Sequence, residues 1–413
     1  MKADILPAHS RNVLTRSTVL LLATITGLAV ATLYYSQPML ALMGRDLHYS
    51  DGVMSLVPML TQMGYAAGLL FLGPLGDRHD RRRIVMIKAV LLIGALVASA
   101  AAPSMAVLAV ASLLIGLTST LAQDVVSGTA MLAPDHSRGK TVGTVMTGLL
   151  LGILVSRVVS GFVAEYLGWR EMFYIAAASI GGLLVIAWRG MPSTPVLTQL
   201  RYGALMASLG HLWQKYPSVR RAAIAQGLVA VSFSAFWSTL ALILHGEPFH
   251  LGSTVAGIFG IAGAAGALIA PFAGKLADRH GPEVVTRLST ALSAASFGIM
   301  AFAPFFAPSH QVWLLVAGVI GFDLGMQATT VSHQTIIYGI DPAARSRLNA
   351  ILLFGMFAGM SAGAGLGGWI LGQFGWLGVV ALAVTSSALA FVVRLTASTE
   401  GGPAVGAPAT ARS

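Results

Sequence analysis

The stretch GPLGDRHDRRRI, Gly73 to Ile84, packs six Asp or Arg residues into twelve positions. The chain around it is 56% hydrophobic and 10% charged, with a mean hydropathy of +0.78. A soluble domain carries about 25% charged residues. Low charge combined with repeated apolar runs of about 18 residues or more describes a polytopic membrane protein. The charged stretch is then a loop between two membrane spans.

Outward from that loop, twelve spans can be laid out: 17–38, 52–75, 84–101, 105–131, 141–164, 172–189, 221–244, 254–274, 285–306, 311–333, 347–372 and 375–395. Twelve helices of about 20 residues use most of the 413 positions and leave no room for a soluble catalytic domain, so no enzyme is expected. The first run is too long for a typical signal-peptide core and lacks an A-x-A-like site, so it reads as a retained helix. There is no cysteine, hence no disulfide and no thiolate metal or redox centre. No cofactor or metal is expected.

Charge placement orients the chain. With the N-terminus in the cytoplasm, 22 of the 25 Lys and Arg residues fall on the cytoplasmic side, Arg45 and Arg170 fall outside, and Arg157 lies within span 5. The positive-inside rule then places both termini in the cytoplasm. The pI of 10.2 is accordingly an insertion signal, and no nucleic-acid partner is expected.

The chain repeats itself. Gly73–Arg83 after span 2 is matched by AGKLADRHGPE (Ala273–Glu283) after span 8, the two sharing Asp77-Arg78-His79 and Asp278-Arg279-His280. Pro134 and Arg138 recur as Pro342 and Arg347, and Gly168-Trp169 recurs as Gly375-Trp376. Matched landmarks in order indicate two pseudo-symmetric six-helix bundles. The expected organisation is a first bundle over 1–189, a cytoplasmic linker over 190–220, a second bundle over 221–395 and a disordered tail over 396–413.

These features, with the pattern G-x-L-[AG]-D-R-x-[DG]-R-R-R between spans 2 and 3, resemble the major facilitator superfamily over nearly the whole chain. The segment LYYSQPML (Leu33–Leu40) resembles bacterial drug/proton antiporters and sugar-efflux members. The resemblance implies an all-α transporter of a bacterial inner membrane, monomeric, working on a small-molecule substrate by alternating access and driven by a proton gradient. It also implies an interdomain latch at Gly73, Gly76, Asp77, Arg78 and Arg82, with Asp278 and Arg279 in the second copy. Asp77 would sit against the positive end of span 11 and Arg78 would pair with a carboxylate. A topology signal alone is the other reading, above all for Arg81, Arg82 and Arg83.

Among fifteen acids only Asp124 in span 4 and Asp323 in span 10 fall within spans. Ionisable groups at that depth cost about 2.5–3.5 kcal/mol on insertion scales and are functional candidates. Asp323 and Asp124 are the proton-coupling candidates, and Asp323 has no basic partner at depth in its own half. Arg157 needs a partner, and Asp124 is the acid available in the same half, although the two differ in depth by about nine residues. A static Arg157–Asp124 network is the alternative to a functional one. Tyr34, Tyr35, Gln37, Gln62, Gln226, Phe233, Trp237 and Gln327 are polar or aromatic residues in or near spans, and suit an amphipathic or hydroxylated ligand. Interfacial anchoring or packing would account for several of them equally well. The run Gly355–Gly368 places Gly355, Gly359, Gly363 and Gly367 at i, i+4 spacing, a helix-packing face rather than a nucleotide loop.

Two departures from the superfamily pattern limit what it implies. Ser112 stands where span 4 usually carries an arginine, and Ser156-Arg157 occupies the Gly-Pro position of the antiporter motif in span 5. Proton-coupled efflux of drug-like compounds or sugars is the first functional reading. A facilitator or symporter importing a small anion on Arg157 is the second.

Overall fold

A computed structural model describes residues 14–196, 198–341 and 344–396, with backbone alone for 264–271. The expected landmark Pro342 and the tail beyond Thr396 lie outside the described residues. Every regular element among the described residues is a helix. Ten segments are long and apolar enough to cross a bilayer: Arg16–Leu47, Asp51–Arg78, Arg81–Ala100, Met105–Leu132, Arg138–Tyr166, Trp169–Gly190, Pro217–His245, Pro282–Phe305, Pro308–Tyr338 and Arg345–Leu395. The last runs for 51 residues and is broken at Gly375 (φ 64°, ψ −159°), which separates spans 11 and 12. Glycine alone takes that conformation freely. Ser253–His280 supplies span 8.

Small residues decide which helices touch. The Gly355, Gly359, Gly363, Gly367 face meets Ala223, Gly227, Val231 and Ala235 of span 7, each contact one turn after the last. A Cβ on Gly359 would collide with the Gly227 backbone, so the two helices approach to main-chain contact. Spans 1 and 5 pack in the same manner through Gly27, Gly148 and Gly152.

The charged loop folds back into its own bundle. Arg81 Nη2 donates to Asp77 Oδ1 at 2.7 Å, and Nη1 lies 3.5 Å from Asp124 Oδ1. Gly76 makes this route available, because a Cβ there would stand 2.6 Å from Arg81 Nη1. Lys88 Nζ reaches Asp124 Oδ2 at 2.6 Å and Thr120 Oγ1 at 3.0 Å. Two acids are thus answered by two bases. The start of the linker is stitched on as well: Arg81 N donates to Thr194 Oγ1, Thr194 N to Asp80 Oδ1 and Thr198 N to Asp77 O. The rest of the linker forms a helix, Tyr202–Lys215, whose Leu209 and Leu212 pack on Val219, Ile337 and Leu348.

Several expectations are corrected here. Asp124 pairs with Lys88 and Arg81, not with Arg157. Measured from the ends of their helices, Asp124 and Arg157 differ by about eleven residues, or about 16 Å of rise. Lys88 is not a loop cation but a buried partner at 5% exposure. Asp77 faces the start of span 11 across a cleft of about 90 Å³ shared with Arg347 and Asn349, yet its carboxylate is bonded to Arg81. Arg78 forms no ion pair among the described residues, and Arg82 donates to the Trp188 carbonyl.

Two outcomes follow from this packing. Gly359→Leu should lower the melting temperature in detergent by about 5 °C or more, whereas Gly372→Ala, which meets nothing within 4 Å, should leave it unchanged. Asp124→Asn strands the buried Lys88, while Arg81 keeps Asp77, and should destabilise by about 3 kcal/mol. Adding Lys88→Met to Asp124→Asn should restore part of that loss, read by the same melting assay.

Candidate functional site

Span 1 is interrupted where the site begins. Its two helices, Arg16–Ala31 and Ser36–Leu47, are joined by a tight turn in which Leu33 N and Tyr34 N bond to Val30 O and Ala31 O. Backbone groups inside a bilayer need such partners, and Thr32 Oγ1 adds bonds to Ala29 O and Ser119 Oγ. The turn fixes Tyr34 and Gln37 against span 5.

Arg157 lies between them, 4% exposed. Its Nε donates to Gln37 Oε1 at 3.0 Å. The guanidinium lies over two rings, 4.8 Å from the Tyr34 ring centre and 4.2 Å from the Trp237 ring centre. Such contacts are worth about 2 kcal/mol when water is excluded. Trp237 belongs to span 7, so the guanidinium bridges the two halves. Span 8 comes close through Gly260, where a Cβ would stand 3.1 Å from Arg157 Cβ.

Asp323 completes the arrangement from span 10. It is 6% exposed and interacts electrostatically with Arg157 without forming a direct ion pair. A Cβ on Gly263 would lie 3.3 Å from Asp323 Oδ2 and 3.2 Å from Trp237 Cζ2, so carboxylate and indole meet over this glycine. Arg157 Nη2 is buried without a hydrogen-bond partner among the described residues, as are both amide atoms of Gln62 and the hydroxyls of Ser234 and Ser238. An unpaired buried polar group costs about 1–3 kcal/mol. Other polar groups can satisfy such atoms.

Other expected residues stand elsewhere. Phe233 packs edge-on against Phe322 at 5.9 Å and lies 6.3 Å from Trp237, in a ring cluster with Phe236 and Phe297. Tyr35 is buried in the hydrophobic core. Gln226 lies toward the basic end, where Nε2 donates to Thr330 Oγ1 at 2.9 Å and Oε1 accepts from His333 Nδ1 at 2.8 Å. Gln327 is half-buried and forms no hydrogen bond to Asp323. The sequence reading missed Lys88, Thr120 and Thr194. Lys88 was detectable: it follows Arg81 by seven residues, with buried Val85 between, and therefore shares its helix face.

The halves are sealed over this site at the end away from the charged loop. Gly161 meets the Ser253 carbonyl, Gly257 meets the Arg157 carbonyl, and Gly368 meets Ser55. Ser361 Oγ donates to Met59 O at 2.9 Å. Glu165 Oε2 accepts from Thr254 N at 2.7 Å, placing a carboxylate of one half on a helix N-terminus of the other.

Known proteins share this architecture. An uncharacterized transporter of Escherichia coli O157:H7, YgaY, is 36% identical over 361 residues, covering 87% of this chain and 90% of its own. A probable transporter of Streptomyces coelicolor, SCO4007, is 33% identical over 368 residues, covering 88% and 83%. The solved nucleoside transporter NupG superposes with a TM-score of 0.76 over 92% of this chain and 99% of its own; at 14% identity, that likeness speaks for the fold alone. The family model described as Major Facilitator Superfamily matches residues 20–222 and again 222–411. This chain belongs to the major facilitator superfamily and is a membrane transporter, not an enzyme.

Proposed function

We propose that the chain is a proton-coupled secondary transporter that exports small amphipathic molecules, drug-like compounds or sugars, with Arg157 and Asp323 as its coupling pair. The supporting observation is that these two charges approach from opposite halves. Their attraction is therefore made and broken as the halves move. Ionised Asp323 attracts Arg157 and favours the closed arrangement. A proton on Asp323 removes that attraction and lets the halves part. Residues 1–189 and 221–395 would rock as two bundles about the site, with 190–220 as the link. A ring-bearing substrate would take the faces of Tyr34 and Trp237 now covered by the guanidinium, and would bond to Gln37. Asp124, locked between Lys88 and Arg81, is not needed for coupling in this reading. By the positive-inside rule the basic end is cytoplasmic, and the sealed end faces out.

Arg157 Nη2 has no hydrogen-bond partner among the described residues, and this favours a second reading: import of a small organic anion held by that guanidinium, by symport or facilitation.

Purified protein in liposomes with a trapped pH dye and an imposed proton gradient tests the first reading. Cationic drugs, neutral sugars, nucleosides and small organic acids are added in turn. One class should discharge the gradient, and Asp323→Asn should reduce that signal at least about tenfold with no change in melting temperature. An Asp323→Asn protein that still moves protons with substrate overturns the assignment. Arg157→Ala separates the two readings: loss of organic-acid uptake with neutral compounds still transported favours anion import.

A further inference from the structure

The second copy of the charged motif, Ala273–Glu283, does not repeat the arrangement of the first. Glu283 is taken by Arg394. Lys275, Arg279 and His280 form no ion pair among the described residues. These three side chains instead line a cavity of about 540 Å³ on the flank of the second half, between spans 8, 9 and 10. Asp278 and Arg279, expected in the latch, are both exposed, and Arg279 lines this cavity.

The remaining wall is almost wholly apolar, formed by Phe272 and Leu276 of span 8, Leu288 and Leu292 of span 9, and Leu324 of span 10. Phe272 is 64% exposed and Leu288 59%, so the groove opens away from the bundle toward hydrocarbon. At 1.5 Å per residue, Phe272 and Arg279 are about 10 Å apart along their helix. The groove is therefore apolar toward mid-membrane and cationic at the basic end. The acids nearest in sequence do not cancel that charge, since Asp278 is not among the lining residues and Glu283 is already neutralised. Arg287, on the neighbouring helix, is likewise outside the lining and donates to the Arg394 carbonyl.

We propose that this groove binds an anionic phospholipid, its phosphate held by Lys275, Arg279 and His280 and one acyl chain laid along Phe272, Leu276 and Leu288. A free anion would leave the apolar wall unused, and a zwitterionic lipid would leave the positive charge unanswered. Basic pockets between helices at a membrane surface select anionic headgroups on this principle, and each buried methylene adds affinity.

Native mass spectrometry of the delipidated full chain, titrated with phosphatidylglycerol or with phosphatidylcholine of the same acyl chains, tests the proposal. Phosphatidylglycerol should bind at about thirtyfold lower concentration, the scale expected of two basic residues at a membrane surface. Lys275→Gln/Arg279→Gln should abolish that preference. Arg83→Gln/Lys140→Gln, an equal loss of charge on the other half, should retain it. Leu288→Trp fills the groove with every charge intact and should weaken binding of both lipids. Equal affinity of the two lipids for the wild-type chain overturns the proposal, as does equal loss in both double variants. If Lys275→Gln/Arg279→Gln fails to fold, undiminished phosphatidylglycerol binding by Leu288→Trp overturns it independently.

Discussion

A charge inside a bilayer has to be answered within a few ångströms, and that requirement organises this molecule. It is met in two ways. Near the charged loop, Asp77 and Asp124 are balanced by Arg81 and Lys88, all within spans 2 to 4. That set is complete inside one half and indifferent to how the other half moves. At the centre, Arg157 is answered by an amide and two ring faces, with Asp323 near but not bonded. Half of that environment belongs to the opposite bundle. The first arrangement holds a shape, and the second is sensitive to one.

Internal duplication makes the contrast sharper. The two copies of the Asp-Arg-His motif follow corresponding spans, yet their surroundings differ. In the first, Gly76 lets Arg81 cross to Asp124, and Thr194 of the linker closes over it. In the second, Glu283 follows Gly281 and Pro282 and binds Arg394, which leaves Lys275 and Arg279 on the outer flank. Sequence identity over three residues did not bring the same contacts with it.

Architecture was legible in the sequence because hydropathy and loop charge act locally: each span declares itself without knowing its neighbours. The packing face of span 11 was legible for the same reason, as its glycines repeat every four residues. Buried pairings were not. Lys88 lies within an apolar run close to a basic loop, and only the three-dimensional approach of span 4 turns it into a counter-ion. Asp323 was visible as a lone carboxyl, but its partner sits 166 positions away in the other half, and no local pattern connects them. Tyr34 and Trp237 were picked for chemistry alone. Their shared contact with Arg157 depends on the break in span 1, which the sequence did not announce.

The seal at the end opposite the loop includes two contacts made by main chain alone: Gly161 on the Ser253 carbonyl and Gly257 on the Arg157 carbonyl. Side-chain contacts would freeze rotamers each time the halves met, at up to about 2 kcal/mol for each long residue immobilised. Glycine against a carbonyl has no rotamers to lose. Closing and reopening at these two contacts therefore carries little conformational entropy either way, which helps the two states lie close in free energy. A balance of that kind can be tipped by a modest input, since about 1.4 kcal/mol is a tenfold change in population. Binding one substrate molecule, or one proton, supplies enough.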